Sequence, residues 1–199
     1  MQDNFTTLVS SSRADLREKA SRFFGFADPV PDELAAAEIR QRLKREYHDA
    51  DHQPFAFRLA SGLERFSDDG EPKGTAGPPI LTAIKQANFH NVQIVVVRYF
   101  GGTKLGKGGL ARAFGECARM TLQGAERKQE QLLIYLDVVA EPQQVGAVKA
   151  VASRHGASVA VLSFDLNARI RLAVPAGSFD DCREALLKRF GPQIFGDGL

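Results

Sequence analysis

Val92-Gln93-Ile94-Val95-Val96-Val97, followed at once by Arg98-Tyr99-Phe100-Gly101-Gly102-Thr103-Lys104-Leu105-Gly106-Lys107-Gly108-Gly109, decides how this chain folds. The first six residues are too apolar and too β-branched for anything but a central strand. Leu110, Ala113, Phe114, Cys117, Ala118 and Thr121 then recur at helical spacing, so a helix begins among the glycines. The glycine-rich stretch is therefore a strand-to-helix loop. Such a loop presents backbone N–H groups and the positive end of a helix dipole. Arg98, Lys104, Lys107 and Arg112 add cations to it with no Asp or Glu between them. That combination suits phosphate.

Upstream, Ser67-Asp68-Asp69-Gly70-Glu71-Pro72-Lys73-Gly74-Thr75-Ala76-Gly77 is the acidic counterpart. Asp68, Asp69 and Glu71 could hold a hard cation, although their spacing is not that of an EF-hand. An early Asp followed by Gly is also ordinary turn chemistry, and charge complementarity with Arg98 or Lys104 is a further structural option. Pro78-Pro79 can open a helix that turns Ile80, Leu81, Ile84 and Ala87 inward. Further out, residues 21–27 read as a strand that Asp28-Pro29-Val30-Pro31 breaks, and Ala36, Ile39, Leu43 and Tyr47 fall at helical spacing. Phe55, Phe57 and Leu59 alternate with Ala56, Arg58 and Ala60, the period of a half-buried strand.

Downstream of a linker at 124–131 the pattern restarts. Strand 132–139, helix 143–155, strands 158–164 and 168–174, helix 179–190 and a closing strand at 193–195 give βαββαβ, the ferredoxin-like motif. The expected class is α+β, with domains at 1–127 and 128–199.

Composition narrows the function. With 199 residues, 44% hydrophobic and 25% charged, the chain reads as an ordinary soluble protein with enough apolar content for two cores. No run approaches the roughly 18 apolar residues of a membrane span. The first residues lack a basic region followed by an apolar one, so a cytoplasmic site and no membrane partner are expected. Cys117 and Cys182 have no CxxC partner and read as reduced, partly buried thiols. Divided after Lys128, the chain carries 19 Lys+Arg against 16 Asp+Glu before that point and 7 against 8 after it, or +3 and −1. Bulk charge alone would not suggest an anionic partner; the clustering in the glycine loop does.

Several chemistries fail on spacing. Gly101 to Lys107 matches the opening of a nucleotide-binding P-loop, but Gly108 stands where a Ser or Thr should ligate Mg²⁺, and Asp137 lies in the next domain. His48 and His52 are four apart, yet only two ligands are evident and the approaching Pro54 favours a turn. HExxH, GxSxG and CxxC are absent, so no catalytic residue, metal or cofactor is nominated. Tyr99 and Phe100 could stack bases within a basic groove, but strand alternation leaves at most one of them available.

The acidic stretch, the strand from Asn91 to Val97, Arg98-Tyr99-Phe100-Gly101-Gly102 and Leu105-Gly106-Lys107-Gly108-Gly109-Leu110 together resemble the signature of the IMPACT/YigZ family. Lys19-Ala20-Ser21-Arg22-Phe23 and Ala50-Asp51-His52 resemble its N-terminal pattern, so the likeness covers most of residues 16–120. Pro54 departs from it: many members carry a Cys there, and its absence argues against thiol chemistry at that place. The resemblance implies an N-terminal β-α domain similar to the second domain of a small-subunit ribosomal protein. It implies a C-terminal domain similar to one of elongation factor G. Eukaryotic relatives act by protein binding in the starvation response that controls initiation, but they carry an extra N-terminal interaction domain not found in this sequence, so the resemblance does not carry that mechanism over.

The function expected from these readings is a non-enzymatic RNA- or ribosome-associated protein that modulates translation. Arg98, Tyr99, Gly101, Gly102, Lys104, Lys107, Gly108 and Arg112 would form its phosphate site. Asp68, Asp69, Glu71, Lys73, Thr75 and His52 would form the rim. The alternatives are an enzyme or binder of a small phosphorylated or nucleotide ligand, and a protein-interaction module.

Overall fold

The computed structural model describes residues 3–196. It divides into two compact units, Phe5–Glu130 and a second formed by the chain from Gln131 together with its first residues. After β1 (Asn4–Leu8), the first unit builds one sheet from β2 (Ser12–Glu18), β3 (Ser21–Pro29), β4 (Phe55–Arg58), β5 (Glu64–Ser67) and β6 (Val92–Tyr99). The strand order is β2-β3-β6-β4-β5, with every pairing antiparallel. Helix α1 (Glu33–Glu46) covers one face, while α2 (Gly77–Gln86) and α3 (Gly106–Gln123) cover the other.

Because helices lie on both faces, β6 is apolar at most positions from Val92 to Val97. Val92, Ile94 and Val96 enter the α2/α3 core, and Val95 and Val97 enter the α1 core. Each fully buried side chain of this size stabilises the fold by about 1.5–3 kcal/mol. Phe23 of β3 meets Phe114 of α3 edge to face, with centroids 5.1 Å apart. Gln93 is the polar exception within that stretch. Its Oε1 accepts from Arg40 at 2.6 Å and its Nε2 donates to the Ala36 carbonyl at 3.1 Å, so its burial leaves no orphan.

The same double cover corrects the reading of β4. Phe57 and Leu59 pack against α1 while Ala56 is buried in the α2/α3 core, so the strand is enclosed on both faces rather than half-buried. The stretch read as a linker holds a strand as well: β7 (Arg127–Gln131) pairs with β1.

In the second unit β8 (Leu133–Ala140), α4 (Val145–Arg154), β9 (Ser158–Phe164), β10 (Ala168–Pro175) and α5 (Phe179–Phe190) follow in turn. The sheet order is β8-β10-β9, antiparallel, with a register irregularity between Arg169 and Ile170. Val148, Ile170, Leu172, Cys182 and Leu186 are at its core. The expected closing strand is instead a single 3₁₀ turn, Pro192–Phe195, that buries Ile194. Glycines of positive φ flank it, Gly191 at 79° and Gly196 at 70°, and they cut the segment too short to pair. The α+β class stands. No helix among the described residues is long and apolar enough to cross a membrane.

Candidate functional site

Alternation along β6 sends Arg98 to the α2/α3 face and Tyr99 to the α1 face. Arg98 is only 5% exposed. Its Nη1 donates to Glu71 Oε1 at 2.6 Å, its Nη2 reaches Ser21 Oγ at 3.4 Å, and the guanidinium lies 5.5 Å from the Phe23 ring and 5.4 Å from that of Phe100. The Glu71 side chain is 1% exposed. Arg98 Nε is buried and has no partner, and a buried N–H left in that state costs about 1–3 kcal/mol.

The three carboxylates of the acidic loop do different things. Asp68 accepts from Gly74 N at 2.7 Å, Ala76 N at 3.0 Å and Gly77 N at 2.9 Å, which caps α2 from a distance where its own first residues offer no side-chain cap. Burial pushes the Asp68 pKa up, but those donors outweigh it and the net shift is downward. Asp69, held at a φ of 43°, accepts from Gln53 N at 2.8 Å and lies 3.4 Å from Lys44 Nζ. Glu71 neutralises Arg98. His52 presents Nδ1 to the Asp69 carbonyl at 2.8 Å, and its Nε2 stands 4.0 Å from Glu71 Oε1. Among the described residues no group of three His, Cys, Asp or Glu side chains is placed to hold a metal ion.

Arg98 and Glu71 line a cleft of about 390 Å³ at the start of α3. Its apolar walls are Pro72, Phe100, Leu105 and Leu110, and Lys104, Gly106 and Lys107 complete it. Helix α3 has no side-chain N-cap and no acid in its first turn, so its leading N–H groups are unclaimed by any capping side chain. Lys104 and Lys107 are exposed, and among the described residues neither makes an ion pair. Positive potential from the dipole and two free ammonium groups thus meets an apolar surface.

The remaining expected residues are dispersed. Tyr99 donates its hydroxyl to Asp49 Oδ1 at 2.7 Å, which pushes its pKa up to about 12, and its ring meets Phe24 edge to face on the α1 side. Phe100, 43% exposed, is the available ring of the pair. Its amide donates to Asp51 Oδ2 at 2.8 Å, which fixes the strand end. Arg98, expected as a free phosphate contact, is a buried ion-pair partner instead. Arg112 lines two neighbouring depressions with Glu116 and is not among the lining residues of this cleft. Thr75 is buried and donates to the Pro72 carbonyl at 2.7 Å, a turn contact. Lys73 is exposed. A Cβ on Gly101 would sit 1.9 Å from the Ala20 carbonyl oxygen, so this glycine serves close packing, and Gly102 has a φ of 85°. Gly108 is different: a Cβ there would meet nothing within 4 Å, and its φ is not positive. Residue types alone did not single out Ser21, Pro72, Leu105 or Leu110; the one available signal was the apolar pair flanking Gly106-Lys107-Gly108-Gly109.

A helix-covered antiparallel sheet with a basic glycine loop, joined to a split βαββα unit, defines a two-unit α+β protein. Residues 19–122 match the Impact N-terminal domain. The chain is 38% identical over 170 residues to an IMPACT family member encoded in the pol 5′ region of Thermus thermophilus, covering 83% of this chain and 91% of that one. It is 29% identical over 162 residues to IMPACT family member YigZ of Escherichia coli strain K12, covering 79% of each. A crystal structure described as that of a hypothetical protein superposes with a TM-score of 0.74 at 25% identity, over 96% of both chains. The chain belongs to the IMPACT family.

Proposed function

We propose that this protein is a non-enzymatic, RNA- or ribosome-associated factor of translation that holds phosphate groups at the mouth of the α3 cleft. The observation that carries the reading is the uncapped start of an 18-residue helix beside two exposed lysines that have no carboxylate partner among the described residues. A helix N-terminus with cations beside it favours an anion, and phosphate is the anion that RNA presents in quantity. Family membership supports the translational context, because the resemblance implies domains similar to those of a ribosomal protein and of elongation factor G.

Anisotropy titration with structured RNA, single-stranded RNA and duplex DNA, for the wild type and for Lys104→Ala/Lys107→Ala, tests the reading. Binding to one class that the double variant loses is the expected result; binding that the variant leaves unchanged would remove the loop from the interface. A second reading, a free phosphorylated ligand, is favoured by the enclosed apolar part of the cleft. A rise in melting temperature with millimolar nucleotide would support it.

A further inference from the structure

We infer that the α3 cleft takes one unstacked nucleotide of a single-stranded RNA, its base against Phe100, Leu105 and Leu110 and its phosphate between Lys104 and Lys107 at the helix start. The inference rests on the phosphate reading above and adds the base. A site for phosphate alone needs no apolar walls, yet Pro72, Phe100, Leu105 and Leu110 line this one. Phe100 is left 43% exposed although the apolar core lies close by. Every base has a π-face that stacks on such a ring whatever its identity. In a duplex those faces are stacked on one another, and only an unpaired strand can offer one.

Volume and polarity agree. About 390 Å³ lies within the range of roughly 300–1,000 Å³ typical of small-ligand clefts, enough for one nucleotide and too little for a helix of nucleic acid. Arg98 lines the cleft while nearly buried, its guanidinium 5.4 Å from the Phe100 ring, and among the described residues its enclosed Nε–H has no acceptor. Glu71, the one carboxylate in the lining, is neutralised by Arg98 at 2.6 Å and so does not repel an incoming phosphate.

The test titrates a fluorescein-labelled single-stranded oligoribonucleotide, the same sequence as a duplex, and adenosine 5′-monophosphate into the wild type, Phe100→Ala and Phe100→Tyr. Phe100 is exposed enough for both variants to fold, and their melting curves check this. Loss of one stacked base is worth about tenfold in affinity. The expected result is a loss of that order for the single strand in Phe100→Ala, retention in Phe100→Tyr, and duplex binding unchanged. Equal effects on single strand and duplex, or none on either, would overturn base stacking while leaving the phosphate reading intact. Tighter binding of the mononucleotide than of the strand would overturn RNA as the occupant. Absence of any salt-dependent binding to the wild type would bring down both readings.

Discussion

Arg98 and Glu71 lie 27 positions apart in sequence and 2.6 Å apart in space, with 7% and 1% of their side chains exposed. The pair joins the end of the central strand to the acidic loop and so fixes one wall of the cleft against the other. Two charges this deep have lost most of their hydration, and each is tolerated only because the other is present. Either single replacement, Arg98→Met or Glu71→Leu, should therefore cost about 3–5 kcal/mol. The double replacement should recover most of that loss. Urea denaturation of the three variants gives the comparison; single variants within about 1 kcal/mol of the wild type would show that the pair is not shut from water.

Asp68 contributes to the acid sensitivity of the first unit. Its folded pKa is depressed, so its contribution is fully present above the ordinary value of 3.8 and is lost as pH falls from there through the folded value. Asp68→Asn should cost about 1 kcal/mol at neutral pH, as loss of a helix cap does, and should flatten the fall in stability below pH 3.8. Thermal melts across that range check it. Parallel pH profiles for the two proteins would mean that the three backbone donors do not hold this carboxylate.

Gly108 separates stability from binding. Glycine in a helix costs about 1 kcal/mol relative to alanine, and here no clash or positive φ requires it. Gly108 is not among the lining residues of the α3 cleft, so Gly108→Ala should raise stability by up to that amount and leave RNA binding unchanged. A variant that gains stability but loses affinity in an RNA titration would show that the contact reaches around the first turn of α3 beyond the cleft.

The sequence made much of this fold readable where a single physical demand dominated. Strand β6 is apolar at nearly every position because helices cover both faces, and α3 keeps a helical apolar period over most of its length. The edge strand β2 was not readable, because Ser12–Glu18 is mostly polar and only half-buried on its inner face, where Leu16 packs against the core, and it is held by its ladder to β3 and the Arg22–Asp15 pair at 3.0 Å. β7, Arg-Lys-Gln-Glu-Gln, carries no strand signal at all; its partner β1 supplies the reason for its extended form. At the site, alternation required Tyr99 and Phe100 to part company, but only the positions of α1 and α3 decide which ring is core. Likewise, the cations of the glycine loop look equivalent in sequence. Tertiary structure buries Arg98 under Phe100, leaves Lys104 and Lys107 in the open, and turns Arg112 toward a different surface.

The most direct test of phosphate recognition at this cleft is the slope of log affinity against log salt for single-stranded RNA, measured for the wild type and Lys104→Ala/Lys107→Ala. Each lost phosphate contact should lower the slope by about 0.7, so the double variant should lose roughly twice that. An unchanged slope, or binding by the wild type that does not respond to salt, would contradict the account.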